Sequence, residues 1–460
     1  MFICVHLWTI LFVFLLLVPN SHAQIAIEPA VKKVEPEQIM PEVNITIGRY
    51  LDLTNGTTAD EAVRLALDNN GELSALRDEL GAVRSQIKQA ELRANPRLTA
   101  GGSVQPFGGG MNGQVAQLTL PLELGNRRGA RIGLAEAQFK VRQALLDNSE
   151  RNLASEVRIK FGESLALIEK LKFLEELIAN AEQGYKLISA KVVEGSNAPL
   201  ERNMSLVELN RTRSMREIAA ANVEIKLLEL RNLIGIEPNG VLRLKGNFED
   251  SAGGMPSRSD AVEKAVSGRP DLESLRLMIL FGNSKLEQAR SEGRLDAGLS
   301  VGYQRMTRFK PVISTQDPLN LDSSVVGESF LTFGVELMLP VRNKNQGNIE
   351  AASLEISASK KRLEFGELTV RREVAAAYAR YEGVARALAI YQAGVRNQAR
   401  QNLGVIWQTY EMGDKELTDY IGEERRYLEL ENTLIDAKLE VYLAKIEIFR
   451  VINSPELRGN

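Results

Sequence analysis

The chain has 460 residues, with 57 Lys+Arg against 60 Asp+Glu for a net charge of −3, and it holds only two His and one Cys. These three, Cys4, His6 and His22, all fall in the first 23 residues, so the remainder has no side chain for a zinc site, a Ser-His-Asp triad or a thiolate nucleophile. The near-neutral balance lacks the basic excess that displaces counterions from phosphates, which argues against nucleic acid as a partner.

Residues 7–18 are an apolar run, followed by Pro19 and the small-x-small triplet Ser21-His22-Ala23 ahead of Gln24. This pattern predicts a signal peptide over 1–23, because about 12 apolar residues are too few to cross a bilayer, which takes about 20. No lipobox cysteine follows the run, so no lipid anchor is expected. Pro29, Pro36 and Pro41 among alternating charges give residues 24–57 the character of an extended leader. A helix then opens at Thr58, with Glu61 three residues on as a capping box ahead of Ala62, Leu65 and Ala66.

The chain repeats itself. Asp60 to Arg77 aligns with Ser259 to Arg276, matching Ala62 with Ala261, Val63 with Val262, Ala66 with Ala265, Leu73 with Leu272 and Arg77 with Arg276. Further on, Leu120-Pro121 answers Leu339-Pro340, and Gly195 answers Gly413. Two copies of one unit are expected, at 58–234 and 257–453, joined by a Gly/Pro-rich linker at 235–256 and followed by a tail at 454–460.

Within each copy the hydrophobic period switches from helix to strand and back. Alternation at Leu98, Ala100, Gly102, and again at Ala116, Leu118, Leu120, Leu122, predicts a hairpin over 97–122. Leu299, Val301, Tyr303 and then Leu331, Phe333, Val335, Leu337 predict a second hairpin over 295–341. Each run has the length of a tilted membrane strand, about 9–11 residues. Pro106–Gly113 and Thr307–Gly327 read as the turns. Helical pattern from Gly129 to Glu194 and from Gln346 to Met412 is several times longer than an ordinary domain helix, so a β-sandwich is disfavoured. The 3-4 spacing of Leu171, Leu174, Ile178, Ala181, Tyr185, Ile188, Val192, and of Tyr427, Leu430, Leu434, Ala437, Val441, Ala444, Ile448, Val451, marks seams between laterally packed helices.

This order resembles the TolC-type outer membrane efflux proteins across essentially the whole chain after the signal segment. The residues carrying the resemblance are Thr58 to Leu67, the two Leu-Pro pairs and Tyr410-Glu411-Met412-Gly413 at a helix-pair tip. The resemblance implies an internally duplicated α+β membrane protein, a homotrimer whose hairpins share one twelve-stranded outer membrane β-barrel above a periplasmic α-helical coiled-coil tube. A trimer also answers a physical problem, since four strands cannot close a barrel and open edges are not tolerated in lipid. On this reading Leu118, Leu120, Leu299, Val301, Phe333, Val335 and Leu337 face lipid, Gln117, Thr119, Thr332 and Glu336 face the lumen, and the turns are extracellular.

The resemblance further implies that Glu201, Tyr410 and Lys415 latch the periplasmic tip shut, and that Asp419 rings the pore constriction. Lys415 stands where the family has arginine, losing the planar fork that grips a carboxylate from two sides. Gly422 stands where some members carry a second pore carboxylate, with Glu423 next to it. The implied function is a passive exit duct, not an enzyme and without a cofactor, working with a periplasmic adaptor and an inner-membrane pump. The first-repeat tip, Asn197 to Arg202, looks nearest to members paired with resistance-nodulation-division pumps for drugs or heavy-metal cations. Other readings are a periplasmic coiled-coil structural or adaptor protein, the exit duct of a type I secretion system, and, more remotely, an acyltransferase using Ser357-Ala358-Ser359-Lys360 without its companion motifs.

Overall fold

The computed structural model describes residues 47–106, 111–248, 255–313 and 321–459. The signal segment and the Pro-rich part of the leader lie outside them. The end of the leader is not extended and free, as its composition suggested. After a short helix α1 (Ile47–Tyr50) the chain runs beside Leu244, whose amide donates to the Tyr50 carbonyl at 2.8 Å. Tyr50, Leu242 and Leu244 are all buried in one core. The expected linker is thus packed over its described part as well.

Each repeat begins with two short helices, α2 (Ala59–Asn69) and α3 (Gly71–Glu91) in the first, α6 (Arg258–Gly268) and α7 (Pro270–Glu292) in the second. Thr58 caps α2 with the expected reciprocal bonds to Glu61, and Ser257 caps α6. The duplication reaches individual hydrogen bonds: Arg77 donates to the Leu67 carbonyl at 2.8 Å, and Arg276 donates to the Val266 carbonyl at 2.7 Å. In both copies the long arginine satisfies a carbonyl that the preceding helix leaves open at its C-terminus.

The hairpins β1–β2 (Arg97–Ser103, Met111–Pro121) and β3–β4 (Asp296–Ile313, Leu321–Met338) form one antiparallel sheet in chain order. Register places Leu118 opposite Val301 and Val301 opposite Phe333; likewise Leu120, Leu299 and Val335 form a row, with Leu337 opposite Ala297. The seven residues expected to meet lipid therefore share one face, and all are exposed. Gln117 and Thr332 flank Gly302, and Glu336 pairs with Gly298, so the four residues expected in the lumen share the other face. That face is small as well as polar: a side chain at Gly302 would lie 2.6 Å from the Thr332 hydroxyl. It is not wholly polar, since Val115 and Phe330 sit opposite Gln304 on it.

β3 and β4 each have 18 residues, and most of the expected loop Thr307–Gly327 is ladder, with Arg308 opposite Val326 and Ile313 opposite Leu321. The alternation that signals a strand requires one apolar and one wet environment, so strand that continues into a uniform one loses the pattern. Of the first turn, residues 107–110 lie outside the described residues.

The long helix α4 (Arg127–Val193) runs unbroken for 67 residues and packs along α5 (Pro199–Leu233). Its counterpart is interrupted: α8 (Gln346–Ile390) passes through a wide turn at Tyr391–Val395, where Gly394 leaves helical geometry, into α9 (Arg396–Glu411). α10 (Leu417–Val451) returns beside it. Leu171, Leu174 and Ile188 of the first seam and Leu434, Ala444, Ile448 and Val451 of the second are buried. Among the described residues no helix is long and apolar enough to cross a membrane.

The expected C-terminal tail is also structural. Leu457 is fully buried in the core with Phe161 and Leu165, and the Leu457 carbonyl accepts from Arg158 Nε at 2.8 Å. Arg158 in addition pairs with Asp60, so a buried cation ties the end of the chain to the first helix of the first repeat.

Candidate functional site

The site lies at the end of the helix pairs remote from the sheet. Two turns build it, and they have the same form. Gly195 and Gly413 have φ of +79° and +84° and end α4 and α9. Gly195 donates to the Val192 carbonyl at 3.1 Å and Gly413 to the Tyr410 carbonyl at 3.0 Å. Glycine is required by the left-handed backbone alone, because nothing lies within 4 Å of where a side chain would start at either position.

The helices leaving these turns place Glu201 and Asp419 at equivalent third positions, and each amide donates to the carbonyl three residues back at 3.0 Å. Their partners differ. Tyr410 donates its hydroxyl proton to Glu201 Oε2 at 2.8 Å. Asn197 Nδ2 donates to the same oxygen at 2.6 Å and to the Tyr410 hydroxyl oxygen at 3.0 Å. Burial and the adjacent Glu201 carboxylate push the Tyr410 hydroxyl pKa well above its ordinary value, so it stays a donor.

Lys415 does not join this cluster. Its ion pair is with Asp419, 3.9 Å away and one helical turn ahead, and Asp419 also accepts from the Glu416 amide at 3.3 Å as the capping box of α10. Asp419 is exposed and occupied with its own helix end. Glu423 is only partly accessible and pairs with Arg426 at 3.3 Å along the same helix. The structure thus brings two of the three expected latch residues together and adds Asn197. An amide in a turn gives no sequence signal for this role.

The tip is further held by aromatic packing. Ile188, Tyr410 and Leu417 form a small core with Met204, Trp407 and Tyr420 packed against it, drawing on α4, α5, α9 and α10. The Trp407 ring lies edge-on to Tyr420 with centroids 4.7 Å apart and 5.6 Å from Tyr410. Below it, Glu208, Leu209, Trp407, Tyr420 and Glu424 line a cavity of about 20 Å³, room for roughly one water. Glu208 is matched by Arg425, at 2.6 and 3.2 Å. Glu424 is 6% exposed and its carboxyl is pushed up to about 7, by burial first and the Glu208 charge second, against the pull of Arg425. Charged residues in a long helix read as solvated from sequence, so this pair was not anticipated.

Further along, Arg396 Nε, one residue past the wide turn, donates to Glu431 Oε1 at 2.7 Å, and Tyr427 donates to the same oxygen at 3.0 Å. Glu431 is 3% exposed. The pair clips α9 to α10 just below the interruption. In the acyltransferase-like motif Ser357 and Lys360 lie exposed on α8, and the intervening Ser359 donates to the Glu355 carbonyl at 2.9 Å. No group of side chains suited to a metal ion occurs among the described residues.

The family model described as outer membrane efflux protein matches residues 62–236 and 261–454, once for each repeat. The chain is 26% identical over 304 residues to the cobalt-zinc-cadmium resistance protein CzcC of Cupriavidus metallidurans, covering 64% of this chain and 66% of that one. It is 22% identical over 303 residues to the nickel-cobalt-cadmium resistance protein NccC of Alcaligenes xylosoxydans, covering 64% and 63%. The chain therefore spans just under two thirds of the curated relatives it matches. Among solved structures, the transmembrane channel CusC superposes with a TM-score of 0.69 at 16% identity over 88% of this chain and 95% of that one. With the duplication, the sheet faces and the paired tips all in place, the chain belongs to the outer membrane efflux protein family.

Proposed function

We propose that this protein is the outer membrane exit duct of a tripartite efflux system, a homotrimer that passes substrate delivered by an inner-membrane pump through a periplasmic adaptor. The observation that carries the reading is the one-sided apolar sheet with two open edges, joined to helices far longer than any self-contained domain needs. Three copies close the edges into one barrel and stave the helices into a tube. The duct does no chemistry of its own. The names of the two curated relatives favour divalent heavy-metal cations as cargo. With no histidine or cysteine after residue 23, cations would pass hydrated along carboxylates rather than bind tightly.

In the resting duct the Glu201–Tyr410–Asn197 cluster holds the second-repeat helix pair against the first. Opening moves α9 about the wide turn at Tyr391–Val395, while α4, which has no such turn, stays in place. Asp419 serves this gate by capping α10, and it rings the aperture only as far as the trimer turns the start of α10 inward. The test is single-channel conductance of the full chain in planar bilayers: Glu201→Gln should raise it several-fold, and a conductance equal to that of the unaltered protein would overturn the latch.

A further inference from the structure

The outward sheet face changes character abruptly at one row. From Leu331 on β4 to Leu339 just past its end the face is apolar over eight residue steps, about 27 Å along the chain and about 21 Å of height at a tilt near 40°. The band ends on Tyr303 and Leu331, which pair with each other. One pleat further from the helices come Gln114, Arg305 and Ser329, in register across three strands, and then Asn112, Thr307 and Gly327.

This upper part holds one cation and no acid among the described side chains, because Glu328 and Arg308 fall on the opposite face. The Arg305 guanidinium lies across the strand over Gly327, whose missing side chain leaves one flank of it open; a carbon there would be 3.6 Å from Nη2. Arg305 is exposed, and Tyr303 and Ser329 are joined below it by a 2.9 Å hydrogen bond.

We propose that Arg305 is the phosphate-binding group of a lipid seat on the outer surface of the barrel, taking the phosphorylated headgroup of an outer-leaflet lipid whose acyl chains lie along the apolar face below. Height and charge both favour this seat. The apolar band is close to the thickness expected of an outer membrane barrel, about 25 Å, so the guanidinium sits at the level of the headgroups. An arginine offers the planar fork that phosphate oxygens accept. Thr307, Gln114 and Ser329 surround it with neutral hydrogen-bonding groups and no competing carboxylate. The seat rests on the sheet being embedded in the membrane, and the test keeps the two apart.

The full chain is purified in detergent and examined by native mass spectrometry with diphosphoryl lipid A and with the dephosphorylated lipid, and the same samples are checked for insertion by flotation with lipid vesicles. The unaltered protein should retain the diphosphoryl form about tenfold better than Arg305→Gln does, while Arg308→Gln, on the other face, binds like the unaltered protein. Arg305→Lys should recover part of the binding and show that the site is folded. Equal retention by Arg305→Gln and Arg308→Gln, with both variants still floating, overturns the seat and leaves the membrane reading intact. Loss of flotation by the unaltered protein overturns both.

Discussion

Glu424 of α10 and Glu208 of α5 face one small cavity, and only Glu208 has its charge matched by a bonded cation. Around Glu424 stand Trp407 of α9, Gly184 and Ile188 of α4, Tyr420 on its own helix, and Arg425, whose guanidinium is turned to Glu208. Folding raises the Glu424 pKa from 4.5 to about 7. Its protonated form is therefore favoured in the folded state, and the stability it lends is complete below about 4.5 and lost as pH rises through about 7. Glu424→Gln should flatten this dependence and stabilise the protein at pH above about 8 by up to about 3 kcal/mol. Thermal melts across that range check it, and an unchanged slope in the variant would sink the assignment.

At the latch, Tyr410 and Asn197 both donate to one oxygen of Glu201 and touch each other. Tyr410→Phe and Asn197→Ala should each cost about 1–2 kcal/mol, and the double variant less than their sum, as for groups in one network. Lys415→Met should leave that coupling energy unchanged, since the lysine pairs with Asp419. Denaturant titration of the unaltered protein, the two single variants and the double, repeated with Lys415→Met added to each, measures it, and strict additivity of the two changes would argue against a shared network.

Of these two groups the latch is legible in the sequence in part, and the Glu424–Glu208 pair is not legible at all. Gly195 and Gly413 marked the tips because a left-handed residue after a long helix leaves little choice but glycine. Glu201 and Tyr410 followed from position relative to those glycines. Lys415 was placed on the same basis and failed, because a flexible side chain in a turn finds the nearest acid, here one helical turn ahead. The repeat was legible for a different reason: each copy must bury the same faces, so Ala62 and Ala261 are both fully buried. Strand length was not legible, since β3 continues beyond its apolar band as Arg305, Thr307 and Arg308, a run that reads as loop.

Arg396→Ala would leave the buried Glu431 with Tyr427 as its remaining partner. The expected cost is on the order of 3 kcal/mol, most of it the stranded carboxylate. It should appear locally, as faster amide hydrogen exchange across Arg396–Glu411, with exchange in the lower half of α4 unchanged. A uniform increase in both would mean that α9 does not move independently.

Gly195→Ala and Gly413→Ala each meet open space but a left-handed backbone. Each should destabilise its turn by about 1 kcal/mol, from conformational strain rather than collision. Proteolysis at the two tips would report it, and a tolerated alanine at either would mean that the turn there can rearrange.

On the sheet, Phe333→Arg should disfavour membrane assembly by about 2–4 kcal/mol, whereas Thr332→Arg on the adjacent position should be tolerated. Heat-modifiable migration in gels distinguishes them, and equal assembly of the two would contradict the assignment of faces.

The interruption at Tyr391–Val395 also sets a mechanical scale. The 16 residues of α9 below it form an arm of about 24 Å, so a rotation of only 10° at the joint carries Tyr410 through about 4 Å. That displacement exceeds the whole 2.8 Å span of its bond to Glu201. In the proposed opening, a joint so far from the lock gives angular gain: a small push high on the arm would release the bond completely, with the uninterrupted α4 as the fixed post against which the arm swings.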